Sequence, residues 1–159
     1  MREATGTKSL KDLGEAMGLF DVVVVGADDS PTARRAIEAA SQLAHMSNGT
    51  LHIVTAVDPK PRRDGSLPAE FQDMNPDGEA EALLQVLSFI AKKVGVEPVL
   101  HHVVGEPADV IVATADQVGA DLIVVGNRGM KGARRVLGSV PNSVAHGANC
   151  SVAIIDTSG

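Results

Sequence analysis

Between Gly126 and Ser139 the chain places four glycines (Gly126, Gly129, Gly132, Gly138) and four cations (Arg128, Lys131, Arg134, Arg135) without one carboxylate. Elsewhere acids dominate, 20 Asp and Glu against 14 Lys and Arg for a net charge of −6, so this loop is where an anion should sit. Glycines let main-chain N–H groups approach a ligand closely. A helix opening after Gly138 would present its unpaired N-terminal amides to the same place, and phosphate is the guest that suits both. The alternative is a surface strand-to-helix connection whose cations are solvated. Lys131 and Arg135 share one face if that segment is helical, and the cations that touch no ligand would serve electrostatic steering.

Other chemistries find less support. There is no Gly-x-x-x-x-Gly-Lys-Ser/Thr, and glycines 126, 129 and 132 are not spaced as Gly-x-Gly-x-x-Gly, which disfavours a P-loop NTPase or an NAD dehydrogenase. His101 and His102 fall in one strand, so their rings point to opposite faces and cannot chelate one ion together. His45, His52 and His146 make no recognisable ligand spacing, so no metal site is expected. Cys150 has no nearby histidine and reads as a partly buried thiol rather than a nucleophile. Asp28 and Asp29 are adjacent, which does not create an opposed acid and base. No catalytic residue is assigned, and turnover is expected to be slow at most.

The elements that must hold the loop follow from the rest of the chain. With 159 residues, one domain can bury roughly 70% of its unfolded surface. The residues are 44% apolar with three Phe, no Trp and no Tyr, so the core is aliphatic. The negative charge argues against a nucleic-acid binder. A single cysteine, Cys150, excludes an internal disulfide and fits a reducing compartment. No secretory h-region or membrane-spanning stretch is apparent, which makes the cytoplasm the expected location. Residues 1–20 read as a leader, disordered or forming a short helix through Leu10, Leu13 and Met17; 21–156 read as the domain and 157–159 as a tail.

Asp21 to Gly26 is a β-branched run that predicts a strand covered on both faces. Ser30-Pro31 is an N-cap followed by a proline at the first helical position. Ala36, Ile37, Ala40, Leu43 and Ala44 supply that helix's apolar stripe, ended by Asn48-Gly49. Thr50 to Val57 predicts a second strand, Asp58 to Gly78 a long connection, and Glu79 to Val94 a helix stopped by Gly95. A strand at Glu97 to Val104, a helix at Pro107 to Val118, a strand at Asp121 to Val125, a helix near Pro141 to His146 and a strand at Ser151 to Ile155 complete the alternation. The result is an open five-stranded parallel α/β sheet with helices on both faces, Rossmann-like. Ligands bind such sheets beyond the carboxyl ends of the strands at the topological switch point, so the loops after strands one and four are the candidates.

The pairing of Val24-Val25-Gly26-Ala27-Asp28-Asp29-Ser30 with Gly126-Asn127-Arg128-Gly129 and Gly138-Ser139-Val140-Pro141 resembles the universal stress protein family, over Asp21 to Asp156. Its nucleotide-binding branch carries Gly-x-x-Gly, nine residues, then Gly-Ser/Thr; here Met130 to Leu137 makes the interval eight. The resemblance implies an adenine nucleotide alpha hydrolase-like fold and an adenine nucleotide, most simply ATP with Mg2+ held through its phosphates, bound in a stress-response role. It implies that Asp28, beside Gly26 and Ala27, holds the adenosine and that Ala56 contacts adenine. Gly126, Arg128 and Gly129 would approach ribose and phosphates, with Gly138, Ser139 and Val140 supplying N–H groups and a hydroxyl. Read from the residues alone, Asp28 serves equally as an Asx-turn before the Ser30 cap. The resemblance further implies a homodimer through Ser151 to Ile155. Three other readings stay open: a nucleotide-free dimeric interaction module, a cyclic AMP binder, and an ATP pyrophosphatase-type enzyme, whose Ser-Gly-Gly-x-Asp-Ser loop Gly26 to Ser30 resembles loosely.

Overall fold

The computed structural model describes residues 18–58, 76–127 and 137–157. Five strands, β1 (Val22–Gly26), β2 (Thr50–Val57), β3 (Val99–Val104), β4 (Leu122–Gly126) and β5 (Ser151–Ile155), alternate with α1 (Pro31–Ser47), α2 (Pro76–Val94), α3 (Pro107–Val118) and α4 (Ser139–Gly147). All strand pairs are parallel and the order across the sheet is β3-β2-β1-β4-β5. Universal coverage of the central strand explains its lack of polar alternation: Val23, Val24 and Val25 are all fully buried. Val23 and Val25 join a cluster with Ile37 and Ala40 of α1 and Leu84 and Leu87 of α2. Val24 points the other way, into a cluster with Ile111 of α3 and Val144 of α4. Each such buried valine contributes about 1.5–3 kcal/mol relative to exposure.

Local signals account for most boundaries. The Ser30 hydroxyl accepts the Ala33 N–H at 3.2 Å and Pro31 opens α1. At its other end Asn48 takes the left-handed conformation, φ 52°, which lets the Gly49 N–H reach the Ala44 carbonyl at 2.8 Å. Gly119 ends α3 with φ 67°. Phe20, placed by the sequence reading in the leader, packs partly buried against the first cluster.

Several boundaries differ from expectation. Asp21 lies outside β1, because the Asp121 carboxylate takes its N–H and that of Val22, each at 2.9 Å. β3 begins at Val99 rather than Glu97, since Pro98 has no N–H to offer a ladder. α2 begins at Pro76 rather than Glu79: proline suits the first helical position, and Asp77 and Glu79 sit at the positive end of the helix dipole. β4 is shifted by one residue, beginning at Leu122 rather than Asp121 and ending at Gly126, which pairs with Ile155. α4 starts at Ser139, ahead of the expected Pro141. Residues 59–75 of the long connection, and the leader up to residue 17, lie outside the described residues. Among the described residues no helix is long and apolar enough to cross a membrane.

Candidate functional site

β1 and β4 are neighbours, yet β1 leads into α1 on one face of the sheet and β4 toward α4 on the other. The chain therefore diverges at their carboxyl ends and a cleft of about 230 Å³ opens between them. Main-chain bonds fix its walls. The Ala27 N–H donates to the Val54 carbonyl at 2.8 Å, and the Asn127 N–H to the Ile155 carbonyl at 3.0 Å.

Of the residues picked out in the sequence, Gly26, Ala27, Asp28, Ala56, Gly126 and Val140 line this cleft together. Gly138 and Ser139 do not line it, but they form the N-terminal end of α4, two and one positions ahead of Val140. Arg128 and Gly129, with Lys131, Gly132, Arg134 and Arg135, lie outside the described residues. The structure adds Val54, Pro107, Ile111 and Val125 as an apolar floor, and Ser30 and Thr32 as a hydroxyl-bearing rim. Nothing in their spacing singled these out, because they belong to helix and strand patterns that serve the core equally well.

The rim is pre-ordered. The Ser30 N–H donates to Asp28 Oδ1 at 2.8 Å, and the Ser30 hydroxyl also donates to Asp28 Oδ1. Ser30 Oγ and Thr32 Oγ1 are 2.7 Å apart. Asp28 thus makes the Asx-turn anticipated from the sequence while also facing the cleft. The two glycines at the strand ends differ in what they permit. A Cβ on Gly26 would come within 2.5 Å of Ile111 Cδ1, so a bare residue there lets α3 lie against β1. At Gly126 the nearest atoms, the Thr32 carbonyl oxygen and Thr157 Cγ2, would be 3.4 Å away, an ordinary contact. Protein packing among the described residues therefore does not demand glycine at 126.

Next to the cleft, Asn127 is nearly inaccessible, 5% exposed, and both ends of its side-chain amide are hydrogen-bonded. Its Nδ2 donates to Asp156 Oδ1 at 2.9 Å, and its Oδ1 accepts the Thr157 N–H at 2.9 Å and hydroxyl at 2.8 Å. This pins the chain leaving β5 to the root of the loop that follows β4. Cys150 is partly buried, and burial, followed by the charges of Asp116 and Asp121, pushes its thiol pKa up against a smaller opposing bond to the Ile123 main chain. That is the reverse of what a nucleophile needs.

The sheet brings together two histidines that sequence spacing did not connect: His52 Nδ1 and His101 Nε2 are 2.9 Å apart and the rings stack at 5.2 Å between centroids. They belong to adjacent strands, with Val54 opposite His101, so only the sheet register brings them together. Burial lowers both pKa values, and His101 lowers that of His52 further. His102, the next residue along β3, points to the other face, as expected.

The sequence profile of the universal stress protein family matches residues 19–156. A universal stress protein of Mycobacterium tuberculosis (strain H37Rv) is 34% identical over 146 residues, spanning 89% of this chain and 99% of its own length. Among solved structures, a universal stress protein in complex with cAMP superposes with a TM-score of 0.70 at 38% identity, covering 87% of this chain and 98% of that one. The Archaeoglobus fulgidus universal stress protein in complex with dAMP gives 0.63 at 31% identity, covering 84% and 95%.

Proposed function

The chain belongs to the universal stress protein family, and on that premise we propose that it binds an adenine nucleotide, most simply ATP, as a regulatory ligand rather than as a substrate for efficient turnover. The observation that carries this reading is the convergence of Gly26, Ala27, Asp28, Ala56, Gly126 and Val140 on one cleft at the switch point. Its apolar floor of Val54, Ile111 and Val125 suits a flat base, and the Ser30 and Thr32 rim suits a sugar. The cleft is smaller than the roughly 300–1,000 Å³ typical of ligand pockets, so it takes the nucleoside part. Phosphates then extend past Gly126, where packing leaves the glycine free for close approach, toward the N–H groups of Ser139 and Val140 at the positive end of α4. Gly129 and the Arg128 guanidinium complete the phosphate side in this reading, and Mg2+ is carried by the phosphates themselves.

The same reading makes the protein a cytoplasmic homodimer with a role in stress adaptation. Support for the dimer is positional: β5 is an edge strand, with Ile154 exposed, and an edge of this kind is stabilised by pairing. A specific observation favours a second ligand, since one of the similar structures holds cAMP.

Calorimetric titration of the purified chain with ATP, ADP and cAMP decides among them. Without Trp or Tyr, the protein also reports any co-purified adenine by its ultraviolet absorbance. Gly129→Val combined with Ser139→Ala is expected to weaken nucleotide binding while the circular dichroism spectrum is kept. Silence of the wild-type protein toward all three nucleotides at millimolar concentration would overturn the reading, and tighter binding of cAMP than ATP would replace its ligand.

A further inference from the structure

We propose that His52 and His101 form a two-nitrogen site for a divalent transition ion of tetragonal preference, Cu2+ or Ni2+, on the sheet face beside α3. This site is separate from the nucleotide cleft and does not rest on it. His52 lies on β2 two residues before Val54, and Val54 is the register partner of His101. Both imidazoles therefore stand on neighbouring strands of a hydrogen-bonded sheet, whose backbone holds them in place. Among the described residues this strip stays open: Val99 and Val103, which share the face with His101, are 44% and 39% exposed.

Nitrogens that already lie 2.9 Å apart are within reach of one ion bound at about 2.0–2.1 Å to each. Imidazole nitrogen suits Cu2+ and Ni2+ by softness, and Cu2+ stands highest in the Irving–Williams order.

Binding needs no proton from either ring to be given up to solvent. In the present pair one nitrogen donates to the other; the donor's proton moves to the other nitrogen of the same ring, and both rings turn so that their lone pairs meet at the ion. Among the described residues, no third His, Cys, Asp or Glu is placed to join the pair on one ion.

Cu2+ titration of the tag-free full chain at neutral pH tests this. Substoichiometric Cu2+ is expected to broaden the imidazole NMR signals of His52 and His101 first, leaving those of His45, His102 and His146 sharp, and calorimetry is expected to report one equivalent bound. His52→Gln and His101→Gln should each weaken binding roughly tenfold or more, at least the cost of a lost supporting contact. His102→Gln, on the opposite face, should bind as the wild type does. Uniform broadening of all five histidines, or unchanged affinity in His101→Gln, would overturn the proposal. Should a variant fail to fold by circular dichroism, the order of broadening in the wild-type chain still decides.

Discussion

Replacing Asn127 with Ala removes three hydrogen bonds at once, one to Asp156 and two to Thr157. A bond to a charged group contributes about 1.5–3 kcal/mol and each neutral one about 0.5–1.5 kcal/mol. Asp156 is exposed and Thr157 partly so, which lets water take over part of their bonding. The expected loss is therefore about 2–3 kcal/mol. Fluorescence offers no handle, because the chain lacks Trp and Tyr. Urea unfolding followed by circular dichroism does, and with a slope of about 2 kcal/mol per molar the midpoint should fall by roughly 1–1.5 M. Asn127→Asp refines the test. It keeps the shape and an acceptor for Thr157, but sets a carboxylate oxygen where the amide faced Asp156 at 2.9 Å. Paired carboxylates raise the pKa of one of them above its unfolded value. The native state then binds more protons than the unfolded one, so the deficit against wild type is full at pH 7 and narrows as pH falls toward about 4. An Asn127→Ala midpoint within error of wild type, or an Asn127→Asp deficit independent of pH, would refute the account of this clamp.

Two further outcomes are expected. Gly49→Ala places a methyl 2.4 Å from the Phe20 carbonyl oxygen and 2.9 Å from that of Asp21, main-chain atoms that cannot swing aside. Overpacking of this kind costs about 1–3 kcal/mol, and its upper end corresponds to a Tm lower by roughly 6–12 °C in scanning calorimetry; a wild-type Tm would show that the turn yields freely. The His52 and His101 pKa values lie below the unfolded 6.5, so below that pH the unfolded chain binds more protons. Stability should fall as pH drops through about 6.5, and a His52→Gln, His101→Gln double variant should lose that part of the slope; parallel pH profiles would count against the pair.

The parallel architecture was legible because its signals are local. The valine run of β1, the Ser30-Pro31 start and the Asn48-Gly49 stop each act through nearest neighbours, and each acts in the structure as anticipated. At Asp21 the boundary slipped because a distant group intervened, Asp121 claiming its N–H. The glycine-bearing positions of the cleft were readable for the same local reason, whereas Pro107 and Ile111 arrive from α3 by way of tertiary packing. The His52 and His101 contact depends on the register between β2 and β3, and no spacing along the chain encodes it. Asp28 kept both of its readings, since an Asx-turn and a cleft wall make use of the same carboxyl group.

The place of β1 between β2 and β4 governs how the protein must be made. Its second neighbour is supplied by residues about a hundred positions later, where Asp121 bonds Asp21 and Val22. A ribosome that has delivered the chain through β3 has released a partial sheet whose inner edge at β1 is unpaired and whose Val24 face still lacks α3 and α4. Such distant pairing is slow to form. Until β4 arrives, a valine-rich strand stands open to neighbouring nascent chains, and truncation after β3 leaves it so permanently.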